Sequence, residues 1–258
     1  MKEFFKSKPH IFGRYGGIKE VPPNSVVAFK RALERGVDVI STSIFSTKDD
    51  ILVISKSDAI EVFSGETISI KKMTLEELKK VNHRMDFSWD EQVTLSPKNF
   101  EIKTIDEILT FFKDAKFHIN IESLTEKHVD VLNELLTKHN GESRIMITAT
   151  ESVKVALQKV FPGLAATLSH MGIVKLYGMY KTGILSFKKN LKTDAIISPE
   201  KVGISYIINQ GLVKHLKKKG IHVYASIDSF DDQLERLTSI GVDGFITDDV
   251  TELKKRLS

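Results

Sequence analysis

The sequence predicts an α/β fold of eight parallel strands joined by crossover helices, and three observations carry that prediction. Short β-rich runs alternate with helical segments almost to the end of the chain, the order produced by repeating a strand–helix–strand unit. The chain has 258 residues, and one (β/α)8 barrel, or TIM barrel, uses roughly 250. One long connection, about 46–100, breaks the even alternation, and it follows strand two. A doubly wound open sheet would show the same alternation, so the pattern alone leaves both architectures standing.

Strands are expected near His10–Arg14, Val37–Ser43, Phe117–Glu122, Arg144–Ala149, Leu164–Ser169, Asp194–Ser198, Ile221–Ile227 and Gly244–Thr247. Among the helices between them, Thr74 with Glu77 and Thr104 with Glu107 have the spacing of capping boxes, in which each side chain satisfies a backbone N–H of the first turn. Gly36, Gly141, Gly220 and Gly241 stand where helices end and a left-handed residue is wanted. Within the insertion, Thr47-Lys48-Asp49-Asp50 reads as a turn that folds Ile51–Lys56 back along Val37–Ser43 and sets Lys56 opposite Ser43. The whole chain, 1–258, is read as a single domain carrying this insertion.

Hydrophobic residues at 41% and charged residues at 28% argue against disorder. No segment offers the ~18 uncharged apolar residues of a spanning helix, and the N-terminus lacks the apolar core of a secretion signal. A cytoplasmic location is therefore expected. The net charge of +4 reads as spread along the chain, which weighs against a nucleic-acid partner. Cysteine is absent, so disulfides, thiolate metal sites and a cysteine nucleophile are excluded.

Arg14-Tyr15-Gly16, then Pro22-Pro23-Asn24-Ser25, then Ala28-Phe29 resemble the His-Arg-Gly, Pro-Glu-Asn-Thr and Ala-Phe landmarks of the glycerophosphodiester phosphodiesterase family. Further segments align in order: Gly36–Ile40, Thr47–Asp49, Met73–Leu78, Thr104–Leu109, Ile119–Glu122 and Gly241–Asp248. The resemblance implies a phospholipase-C-like barrel with a small insertion after strand two, and it favours the barrel over the open sheet.

For activity, the resemblance implies two histidines as acid and base, a divalent cation on three carboxylates, and an Arg and a Lys on the phosphate. Those parts answer the negative charge and proton movements of phosphodiester hydrolysis. This chain departs from nearly all of them. The first histidine falls at Arg14, its neighbouring arginine at Tyr15, and the glutamate of the second landmark at Pro23. The metal-binding Glu-x-Asp pair falls at Ser41 and Ser43, and the His-Asp pair at Lys56 and Ser57. Glu122 is kept, the lysine two positions on is Leu124, and the late tryptophan falls at Tyr224 or Ser226.

A guanidinium stays protonated at any working pH and cannot act as a base, and one carboxylate with two hydroxyls is a poor hard-cation site. The expectation is a catalytically inactive barrel that retains no catalytic residue and needs no cofactor. Such a barrel would be a binding or regulatory module, with Arg14, Tyr15, Lys56, Glu122 and Tyr224 lining the ligand site. Two readings of Arg14 and Lys56 stand: they neutralise Glu122, or they bind a small phosphorylated or otherwise anionic molecule.

The alternative is a working phosphodiesterase that uses Mg or Ca on Glu122 with unidentified replacement groups, among which His83 and His170 are candidates. His10 and His118 lie four residues below Arg14 and Glu122 and are set aside. A third reading makes the barrel an interaction surface for a protein partner of unknown kind. The aromatic pairs Phe4-Phe5 and Phe111-Phe112, and Trp89 in the insertion, are read as packing. The lysines 214 and 217–219 are read as a solvated helix end complementing the dipole.

Overall fold

Eight parallel strands close into a ring in the computed structural model, which describes residues 2–8, 10–61, 66–81, 101–188, 190–230 and 232–257. The strands are β1 (Ile11–Arg14), β2 (Val39–Ser46), β3 (Lys116–Asn120), β4 (Ile145–Thr148), β5 (Ala165–Thr167), β6 (Ala195–Pro199), β7 (His222–Ile227) and β8 (Gly244–Thr247). Each pairs in parallel with the next, and β1 pairs with β8 as well as β2. That last pairing closes the (β/α)8 barrel and removes the open-sheet alternative.

Closure separates two cores along every strand, because successive side chains point to opposite faces. Phe12, Val39, Met146, Ala165, Ala195, Tyr224 and Ile246 point inward and form an apolar floor. The ring is plugged from below by Phe4 and Phe5, both fully buried, and Phe5 stacks on His222 with ring centroids 4.2 Å apart. Alternate residues such as Ile40, Ile119, Ile147, Ile196 and Phe245 point outward and pack under the helices. The Phe4-Phe5 pair is thus packing, as read from the sequence; of the second pair, Phe112 is buried against Phe29, with ring centroids 5.9 Å apart, while Phe111 is exposed, which corrects its reading as packing.

The two Gly-Val-Asp runs are one structural device used twice. Gly36 and Gly241 take φ of +75° and +78°, which glycine adopts without a Cβ clash. Asp38 then accepts the N–H groups of His10 and Ile11 at 2.9 and 2.8 Å, and Asp243 accepts that of Val223 at 2.7 Å. Asp194 does the same for Ala166 at 2.9 Å. In each case a carboxylate just before one strand satisfies a donor at the start of the strand preceding it.

Both expected capping boxes form, with Thr74 and Glu77, and Thr104 and Glu107, bonded reciprocally. Gly141 is corrected: the left-handed residue there is Asn140, at φ +53°. Gly141 begins a short helix where a Cβ would meet Leu136 at 2.5 Å. The hairpin forms too, with Leu52–Ser55 antiparallel to β2, but Ser43 pairs with Ser55 rather than Lys56. Five residues, 47–51, make the turn, so the fold axis passes through Asp49 and the register moves by one.

Candidate functional site

The mouth of the barrel gathers residues from the C-terminal ends of its strands, the end where (β/α)8 barrels carry their chemistry. At its centre lies Arg14, the last residue of β1. Its Nη1 stands 3.2 Å from the Asp228 carboxylate and 3.4 Å from that of Asp248, and its Nη2 donates to Ser226 Oγ. Asp228 directly follows β7 and Asp248 directly follows β8, so ring closure sets Asp248 on the strand adjoining β1 and Asp228 on the strand after it. Burial pushes the Asp248 carboxyl above its usual range; Arg14, Lys56 and Lys19 pull it down, while Asp228 adds to the rise.

Around Arg14 the landmark loop has a structural task. Tyr15, at φ +53°, donates its N–H to Ser41 O at 2.6 Å, and Asn24 donates back to Tyr15 O at 2.9 Å. Asn24 Oδ1 accepts from Thr42 Oγ1 at 2.7 Å, latching the loop to β2. Ser25 then caps the helix Val26–Glu34 by accepting the Ala28 N–H. Gly17 allows the close approach, since a Cβ there would lie 2.5 Å from Val250.

Below the mouth runs a buried polar chain. Ser41 Oγ is 2.8 Å from His118 Nδ1, His118 Nε2 is 2.7 Å from Thr148 Oγ1, and Thr148 Oγ1 is 2.6 Å from Thr167 Oγ1. All four residues are buried, and burial drives the His118 imidazole down to about 3. Ser41, where the resemblance implies a metal ligand, therefore has its hydroxyl committed to an imidazole inside the barrel.

Glu122 does not meet Arg14. Its Oε1 accepts the His170 N–H at 3.0 Å, at the start of the helix His170–Lys181, where the helix dipole favours an anion. The expectation that Arg14 and Lys56 neutralise Glu122 is corrected: the acids facing Arg14 are Asp228 and Asp248, and the charge of Lys56 is felt at Asp248.

Tyr224 is corrected as well. Its ring packs 4.6 Å from Phe12 in the apolar floor, burial raises its hydroxyl pKa, and Ser226, two residues on, is the mouth residue. Tyr15 is half-buried and Lys56 exposed at the rim. His83 and Trp89 lie outside the described residues.

The donor set does not suit the hard cation that the resemblance implies. Ser41 is engaged by His118 and Glu122 by a backbone N–H. Among the described residues no group of three or more His, Asp or Glu side chains is placed to hold a metal ion. Sequence reasoning missed Asp228 and Asp248, although an aspartate immediately after a barrel strand was a signal that could have found both.

Residues 16–252 match the Glycerophosphoryl diester phosphodiesterase family. A "Glycerophosphodiester phosphodiesterase" of Caldanaerobacter subterraneus subsp. tengcongensis is 27% identical, with 94% of this chain and 95% of that protein aligned. The human "Lysophospholipase D GDPD1" is 23% identical over 98% of this chain and 87% of its own length. Among solved structures, an Oleispira antarctica phosphodiesterase in complex with the product sn-glycerol-3-phosphate superposes with a TM-score of 0.72 at 16% identity, covering 96% of each chain. At that identity the likeness concerns the fold.

Proposed function

The chain belongs to the glycerophosphoryl diester phosphodiesterase family, and on that premise we propose that its barrel binds a small phosphorylated or otherwise anionic molecule at the mouth without hydrolysing it. The observation that carries this reading is the setting of Arg14. Where the resemblance calls for a proton-transferring histidine beside a metal, a permanently charged guanidinium is held by Asp228, Asp248 and Ser226. Arginine neither accepts nor releases a proton at working pH. The commitment of Ser41 to His118 supports the same reading.

An entering phosphate exchanges with Asp228, whose side chain is 73% exposed, and takes over its place on Arg14. Lys56, exposed at the rim, supplies a second cation. Paired Arg and Lys donors suit phosphate oxygens. The chain is read as one barrel domain with 46–100 as an insertion, and as a cytoplasmic protein; among the described residues no helix is long and apolar enough to cross a membrane.

The active reading rests on the names of relatives, one of them called a glycerophosphodiester phosphodiesterase. The two readings part in one experiment. The protein is titrated with glycerol 3-phosphate and with inorganic phosphate by NMR, and is incubated with glycerophosphocholine and Mg²⁺ or Ca²⁺. Saturable shifts that vanish in Arg14→Ala, without choline release, support binding. Metal-dependent choline release abolished by Glu122→Gln overturns it in favour of the enzyme.

A further inference from the structure

Between Glu151 and Asp194 the chain has no acidic residue and seven lysines, although the whole chain is only +4. The even spread of charge read from the composition therefore fails in this region. Its centre is the helix His170–Lys181, which leads into the 3-10 turn Ile184–Phe187. Ile173 and Leu176 face the barrel and are buried. Met171, Val174, Lys175, Gly178 and Lys181 are exposed, and their spacing places them on one outward stripe.

Two other surface helices turn charge outward: Lys214, Lys217 and Lys218 on one, Asp232 and Glu235 on another. The 170–181 stripe instead mixes apolar side chains with lysine. Beyond it Ile184, Phe187 and Lys188 are also exposed, and Phe187 at 85% and Met171 at 72% are among the most exposed large apolar side chains described.

We propose that this face, residues 170–188, docks on an anionic phospholipid surface. Apolar side chains presented beside lysines, with no acid in the segment itself and Glu122 only at its first residue, match the acyl boundary and the negative headgroups of such a membrane. A second copy of the chain fits less well, because a two-fold contact through this patch sets lysine against lysine. Nucleic acid would answer the lysines but leave Met171, Val174 and Phe187 without an apolar partner. The proposal is independent of what the barrel mouth binds.

Co-sedimentation of the full chain with vesicles tests it. The protein binds vesicles of equal parts phosphatidylcholine and phosphatidylglycerol, does not bind phosphatidylcholine alone, and is released by salt. Lys175→Ala and Lys188→Ala each weaken binding about fivefold, and Met171→Ser and Phe187→Ser each about tenfold. All four side chains are exposed, so thermal melts stay unchanged and misfolding is separated from lost docking. No sedimentation with the anionic vesicles, or sedimentation indifferent to Met171→Ser and Phe187→Ser, overturns the proposal. So does self-association lost in Phe187→Ser, or binding of duplex DNA in place of vesicles.

Discussion

Arg14 Nη1 stands 3.2 Å from the Asp228 carboxylate, tying the end of β1 to the end of β7 across the mouth of the barrel. The pair is a gate as much as a bond, because Asp228 competes with any anion for the same guanidinium. An ion pair with one partner this exposed contributes at most about 1 kcal/mol. Asp228→Asn should therefore tighten phosphate binding up to about fivefold, since 1.4 kcal/mol corresponds to tenfold, with little change in melting temperature. Arg14→Ala should abolish the binding. NMR titrations of the two variants check both outcomes, and weaker phosphate binding in Asp228→Asn would show that the carboxylate helps the ligand instead of opposing it.

Asp248 supplies a second test. Its carboxyl lies above the usual range through burial and the nearby Asp228, and Arg14 is the largest influence holding it down. In Arg14→Ala the Asp248 pKa should rise further, as followed by carboxyl carbon NMR. The sign of the stability effect follows from the raised value. A carboxyl that binds its proton more tightly when folded favours the native state below the unfolded value of 3.8, and that contribution is lost as pH rises through the higher native value. Between those two values Arg14→Ala should lose stability with rising pH more steeply than the unsubstituted protein.

The strands and caps were legible because local chemistry decides them. β-branched runs, Thr-to-Glu spacing and Gly-Val-Asp junctions each act over a few residues, and β7 to within one residue, β8 and both capping boxes appear where these signals put them. The mouth was less legible because it is assembled by ring closure. Arg14 meets Asp228 and Asp248 only because β1 pairs with β8, more than two hundred residues away in sequence. Lys56 was misplaced by one position because the number of turn residues sets hairpin register. Tyr224 and Ser226 point into the same barrel two residues apart, yet one belongs to the floor and the other to the mouth.

The aspartates before the strands should matter more than their surface position suggests. Asp243 accepts the Val223 N–H and pairs with Lys217 at 3.1 Å, so Asp243→Ala leaves a backbone donor at the start of β7 without its acceptor. A loss of about 1–2 kcal/mol is expected, read from the denaturant midpoint. Asp243→Asn keeps an acceptor oxygen and should recover most of it. Equal losses in the two variants would move the effect from the hydrogen bond to the charge.

His118 makes the protein acid-sensitive from within the barrel. Folded, its imidazole resists protonation down to about 3, against 6.5 for the free side chain; unfolded, it takes up a proton below 6.5. The unfolded state thus binds more protons across that window, so this group's contribution is complete above pH 6.5 and is lost as pH falls toward 3. The slope is on the order of 1 kcal/mol per pH unit. His118→Gln keeps a donor and an acceptor for Ser41 and Thr148 but has no proton to gain. Denaturation curves from neutral pH to pH 4 should show stability falling in the unsubstituted protein and holding more nearly level in His118→Gln. Parallel curves would mean that the native imidazole accepts the proton. In that case His118, donating from both nitrogens, could no longer accept from Ser41 or Thr148, and the Ser41–His118–Thr148–Thr167 chain would have to reorient its hydroxyls around a buried cation.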